Sequence, residues 1–408
     1  MRGFQTRETQ EELPRSVESD DYLTFLSGSG YTHVVDPHGV RGPMYYIPQV
    51  SPVPQELHPT QWVGDRSVEF IRDRGAGGGQ PWYLFTSFVH PHPPFAPPSP
   101  WHKLYGVDQV PLPHLPYQYE QLLTYVNRAQ NRYKYRDQGF DLNLVRVMRA
   151  YYYSCISFID YQVGRLLDVL EETGALDSTL IIFTSDHGEY LGDFSSFGKR
   201  GMHDVSSRIP LIASLPGVFS GNERCDLPVS LVDLAPTMLE AAGCGSERTA
   251  SHRLDGIPLQ HTAAGGSRRD VVFAQLAYTR QMDGTNPDGF ITDTPVSAVD
   301  RAAASLYMAV NREFKYVYSA PDNMEYLFDR TLDPLETRNR AHAPNYRHQT
   351  AAMRSLLMEH LREGGETGGL DGDQWKQFPR QELPRDPDFG LLVQDQPWAD
   401  TGIPGYTP

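Results

Sequence analysis

Residues 183 to 212 read FTSDHGEYLGDFSSFGKRGMHDVSSRIPLI, which sets acids, two histidines and a lysine behind an apolar run. Carboxylate oxygen and imidazole nitrogen are both ligands for divalent cations. Asp186 and His187 are adjacent, so both can turn toward one ion. The same pair after a strand also fits a solvated turn or a structural hydrogen bond. Lys199 follows in the Gly- and Ser-rich FSSFGKRG. A cation beside a metal can hold an anionic oxygen of sulfate or phosphate, whereas a loop lysine is otherwise a solvated surface charge. Asp204 and Arg208, four residues apart, fit a structural ion pair better than a catalytic one. His90 and His92 close a second apolar run, in FVHPHPPF, where prolines stiffen the loop. An imidazole held there suits proton transfer or anion contact, the alternative being a histidine that caps a strand end. Two such loops from opposite parts of the chain are expected to serve one site.

The elements that carry these residues follow from periodicity. WVGDRSVEFIRDR, from Trp62, spaces its apolar residues as a short amphipathic helix, and the glycines of GAGGG end it. PWYLFTSFV reads as a buried strand before the histidine loop. Residues 141 to 173 form a long helix with Gly174 as its stop. LIIFTSDHGE and IPLIASLPG read as strands, and VSLVDLAPTMLEAAGC as a helix from near Val232. Strands alternating with helices imply an α/β domain on a mostly parallel sheet, with ligands at the carboxyl ends of its strands. From about residue 270, DVVFAQLAY, SLYMAVNREFKYVYSA and MEYLFDRT predict a small antiparallel sheet; TAAMRSLLMEHLREGG predicts a helix leading into a Pro- and Gly-rich tail. The expected division is residues 1–265 as the α/β domain, 266–345 as the antiparallel subdomain and 346–408 as helix and extended tail. Residues 1 to 60 show no long periodic segment, and Asp20-Asp21 reads as surface.

Composition excludes several classes. The formal charge of −15 argues against a nucleic-acid partner, yet a few local cations and a metal can reverse the field inside one cleft. Cys155, Cys225 and Cys244 form no C-x-x-C pair and no even framework, so each is expected as a free, buried small hydrophobe. No apolar run reaches the roughly 18 residues of a membrane helix. MRGFQTRETQEELPR has no signal-peptide core, so a cytoplasmic chain is expected. The tail DFGLLVQDQPWADTGIPGYTP suits wrapping a neighbouring subunit in a homo-oligomer.

Several blocks stand in a known order: FVHPHPPFAPP, SFIDYQVGRLLDVLEETGALDSTLIIFTSDHGEYLGD, GKRGMHDVSSRIPLIASLPG, VSLVDLAPTMLEAAG, LDGIPL, AVNREFKYVY and YLFDRTLDPLETRN. Together they resemble the sulfatases of the alkaline-phosphatase superfamily, in the branch holding choline sulfatases and phosphonate monoester hydrolases. The resemblance implies an alkaline-phosphatase-like α/β sheet flanked by helices and metal-dependent cleavage of small-molecule sulfate monoesters. It also implies roles. Asp186 and His187 match two ligands of the divalent cation, Ca2+ in most sulfatases and often Mn2+ in phosphonate hydrolases. Lys199 matches the lysine on the substrate anion. His92 matches the histidine that contacts the sulfate and assists the leaving group, with His90 a further contributor behind it. His187, where many sulfatases have Asn, favours the choline-sulfatase-like branch.

The departures are as informative. Family members carry an Asp-Asp metal pair after a strand, a C-x-P-S-R motif whose Cys or Ser becomes the formylglycine nucleophile, and a Gly-Lys-x-His segment. None of these stands in the 408 residues. RGFQTRE resembles the segment just after Gly-Lys-x-His, so the family's first quarter is expected to lie outside this chain. The alternatives are phosphonate monoester or phosphodiester hydrolysis on the same scaffold, and a non-catalytic remnant.

Overall fold

The computed structural model describes residues 3–14, 16–41, 45–75, 79–134, 141–244, 254–266, 269–277 and 297–383. They pack as two compact units: one drawn from residues 1–113 and 138–177, the other from 114–137 and 178–383. The expected C-terminal tail lies outside the described residues.

The first unit is helical. Its helices are α1 (Asp21–Gly28), α2 (Pro59–Gly75) and α4 (Leu142–Glu172). The 31 residues of α4 span roughly 46 Å. Asp141 caps α4, its carboxylate accepting from the Asn143 amide at 2.8 Å. As the sequence predicts, Gly174 stops the helix: its φ of 68° lets the Ala175 amide turn back to the Leu170 carbonyl at 2.8 Å. Tyr22 and Leu26 of α1 bury against Val63 and Trp62 of α2. Asp20, expected at the surface, is 1% exposed. Its carboxylate accepts from the Leu23 amide at 2.8 Å as the cap of α1 and from the Glu11 amide at 2.7 Å. Two backbone donors keep a buried carboxylate satisfied, and a capping role has no apolar signature in sequence.

PWYLFTSFV forms no ladder and no helix among the described residues. Its residues alternate between exposed and half-buried, with Tyr83 52% and Phe85 67% exposed. The sequence suggested a strand buried on both faces, but such burial needs partners on either side.

The second unit contains α3 (Tyr125–Lys134) and six of its strands build two sheets. β1 (Ile181–Thr184) pairs antiparallel with β2 (Leu211–Ser214), Phe183 opposite Ile212. β3 (Val272–Ala277), β4 (Ser305–Val310), β5 (Phe314–Ser319) and β6 (Met324–Asp329) form an antiparallel meander in that order, as expected. The α/β class holds, and every ladder among the described residues is antiparallel. A parallel neighbour needs a helical crossover, whereas only two short turns, Asp193–Ser195 and Asp204–Ser207, intervene between β1 and β2.

The meander is buried on both faces, which explains its nearly continuous apolar runs. Tyr307, Tyr316, Tyr318 and Leu327 pack on Met353 and Leu357 of the helix Arg347–Glu363. The alternate residues Leu306, Met308, Val317 and Phe328 pack on Tyr190, Phe194 and Met202. The loop between β1 and β2 is thereby seated on a rigid sheet. Cys155 is buried and free as expected, but Cys225 is exposed and Cys244 half-exposed, each in a loop that gives the thiol no core to join.

Candidate active site

In the second unit, β1 delivers Asp186 and His187 at its carboxyl end. Gly188 brings the next turn of chain into close contact with the loop before β2. A Cβ there would lie 2.1 Å from the Val205 carbonyl oxygen, so only glycine lets its amide reach the Ser206 carbonyl at 2.8 Å. His187 Nδ1 lies 2.9 Å from the Gly188 carbonyl and therefore donates to it. In the neutral ring Nε2 then carries a lone pair, and it lies 3.2 Å from Asp186 Oδ2. Burial first, then the Lys199 cation, holds this imidazole below its ordinary range; Arg200 acts in the same direction.

These donors fit a divalent cation. Two ligands about 2.3 Å from one ion and at right angles stand about 3.3 Å apart, close to the observed separation. A ligating histidine ordinarily donates its other N–H to a carbonyl, as His187 does. The Asp186 carboxylate is 81% exposed at its side chain and so open to an ion from solvent. Among the described residues, no group of three or more His, Cys, Asp or Glu gathers as a ligand set.

Lys199 is half-buried and its loop is held rather than free. Glu189 Oε1 accepts from the Leu191 amide at 3.2 Å and the Gly198 amide at 2.5 Å, tying the two ends together. His203 stacks on Phe194 with ring centroids 4.3 Å apart and meets the Tyr190 hydroxyl at 2.8 Å. Burial pushes its imidazole down to about 3, so it stays neutral in the core. The Asp204–Arg208 pair exists at 3.5 Å, but Asp204 also pairs with buried Lys315 and with Arg330, as a structural anchor would.

The first unit holds the two histidines. His92 Nδ1 lies 2.7 Å from the Pro93 carbonyl and 3.4 Å from Glu12 Oε1, and Arg41 donates to the same carboxylate oxygen at 2.6 Å. With Nδ1–H donating to a carbonyl, proton transfer by this ring runs through Nε2. His90 is buried between two further histidines: its ring stacks on His58 at 5.0 Å and meets His38 edge-on at 5.6 Å. Burial pushes His90 down to about 4, and holds His38 and His58 well below their ordinary value. Three neutral rings result.

Sequence reasoning overlooked Glu12, Arg41, His38 and His58, which lie in a stretch without periodicity. It also overlooked Arg200 and the polar face of α3, although the spacing Asn127, Gln130, Asn131 was a readable signal of one helix face.

The geometry sets a carboxylate–imidazole pair at a strand end with the Lys199 loop folded back beside it. The sequence model of the Sulfatase family matches residues 5–244. The chain belongs to the sulfatase family. It is 27% identical over 333 residues to an arylsulfatase of Clostridium perfringens, covering 78% of this chain and 61% of that protein. It is 30% identical over 290 residues to a choline-sulfatase of Rhizobium meliloti, covering 69% of this chain and 50% of the relative. The fold matches that of a phosphonate monoester hydrolase from Silicibacter pomeroyi with a TM-score of 0.69 at 24% identity, over 91% of this chain and 75% of the other. The chain spans between half and about three fifths of the length of these two curated relatives. Among the described residues no helix is long and apolar enough to cross a membrane.

Proposed function

We propose that this chain carries the metal- and anion-binding part of a hydrolase of small-molecule sulfate monoesters. The observation that carries the proposal is the Asp186–His187 pair with its nitrogen and oxygen 3.2 Å apart, on a ring held neutral beside Lys199. Asp186 and His187 would hold a divalent cation, Ca2+ first and Mn2+ as the alternative. Bound, the cation supplies Lewis-acid stabilisation of negative charge on the ester oxygens. Lys199 binds an anionic oxygen and offsets charge that builds on it. In the first unit the Pro93 carbonyl fixes the His92 ring through Nδ1, so proton transfer by this ring would run through Nε2.

The formylglycine nucleophile does not fit this chain's cysteines. None lies in C-x-P-S-R, and Cys155 is buried with its thiol pushed up by desolvation. No step is therefore routed through it. In this proposal the nucleophile belongs to polypeptide outside these 408 residues, which is consistent with the 50% and 61% spans of the relatives. The 408-residue chain should bind metal and sulfate yet fail to turn over 4-nitrophenyl sulfate. Calorimetry with Ca2+ tests the placement: Asp186→Ala should abolish binding, and unchanged affinity would refute it. The fold match to a phosphonate hydrolase supports a second reading, the phosphonate ester. Tighter binding of phenylphosphonate than of sulfate would favour it.

A further inference from the structure

The helix α3 is unusually polar, and three of its amides share one face: Asn127, Gln130 and Asn131 at i, i+3 and i+4. All three bond the backbone of the loop that carries Lys199. Gln130 is fully buried, and its Oε1 accepts from the amides of Lys199 at 3.1 Å and Arg200 at 2.8 Å. Its Nε2 donates to the Phe197 carbonyl at 2.5 Å. Asn131 accepts from the Phe197 amide at 2.9 Å and donates to the Ser195 carbonyl at 3.2 Å, while Asn127 donates to the Arg200 carbonyl at 3.1 Å.

The same loop is strained. Leu191, Phe194 and Ser195 take φ of 47°, 55° and 52°, left-handed values that side chains rarely adopt and that persist only where the surroundings over-determine them. Gly198, at φ 84°, has no room for a Cβ, which would meet the Gln130 amide within 2.6–2.8 Å. Side chain and loop are mutually fitted.

We propose that Gln130 is a positioning residue for Lys199: by capturing two successive amides it fixes the direction in which the lysine leaves the backbone, and so sets affinity for the ester anion. The inference rests on the reading of Lys199 as the anion-binding cation. A core amide with a merely structural role would affect stability; this one should couple specifically to Lys199.

The test uses the full chain loaded with Ca2+ and inorganic sulfate as the probe. Gln130→Met, close in length, should weaken sulfate binding about tenfold, the scale of one misdirected charge-assisted contact, with Ca2+ affinity within about twofold. In the double variant with Lys199→Ala, sulfate should bind no more weakly than in Lys199→Ala alone, because the two act as one unit. Full additivity, or an unchanged sulfate affinity in Gln130→Met, would overturn the proposal. If Gln130→Met fails to fold, Asn131→Ala loosens the loop from the next position. It should weaken sulfate binding in the same direction, and no change would count against the idea. If the wild-type chain binds no sulfate at all, the anion reading itself fails. The clamp then stands or falls on amide hydrogen exchange at Lys199 and Arg200, faster in Gln130→Met if it is right and unchanged if it is wrong.

Discussion

Replacing His90 by a residue that does not titrate should flatten the acid side of the stability profile. The His90 ring is buried between His38 and His58, and desolvation moves its titration from 6.5 to about 4. The folded state therefore resists protonation that the unfolded chain accepts. This contribution is complete above about pH 6.5, is lost as pH falls through the window from 6.5 to about 4, and falls no further below that. A shift of this size is worth ~3 kcal/mol between neutral pH and pH 4. His38 and His58, also held low, add loss of the same sign. Urea unfolding of wild type and His90→Gln at pH 7.5, 6, 5 and 4.5 gives the measurement, because the difference between the two profiles isolates this ring. His90→Gln should be less stable at pH 7.5 and close the gap by about 2 kcal/mol at pH 4.5. A constant gap across the range would show that His90 is not held neutral and would refute the buried cluster.

Two further outcomes rest on burial. Lys315 is 1% exposed and pairs with Glu336 at 2.6 Å and with Asp204. Lys315→Met strands the buried Glu336 carboxylate and the half-buried Asp204, and should cost ~3–5 kcal/mol by denaturant unfolding; a loss below about 1 kcal/mol would contradict the network. In thiol titration with Ellman's reagent, exposed Cys225 should react at once in the folded protein. Cys155, buried and with its thiol pushed up, should react only on unfolding.

Much of the second unit was legible because its signals are local. The four-strand meander follows from short apolar runs between turns, and in the first unit the boundaries of α4 follow from Asp141 and Gly174. Asp186, His187 and Lys199 were legible as residue types at a strand end and in a Gly-rich loop. What escaped depends on distant partners. PWYLFTSFV has the composition of a buried strand, yet Tyr83 and Phe85 stand exposed because no ladder flanks the run among the described residues. Asp20 reads as a surface acid, and only the fold shows it capping α1. His38, His58 and His90 come from separate stretches, so no spacing could announce that they meet.

The measurement that bears most directly on the central claim is sulfate affinity of the 408-residue protein, taken by calorimetry with and without Ca2+. The account predicts binding that strengthens with Ca2+ and weakens in Lys199→Ala, because cation and lysine act on one anion. Sulfate binding that ignores both Ca2+ and Lys199, or no binding at all, would contradict it.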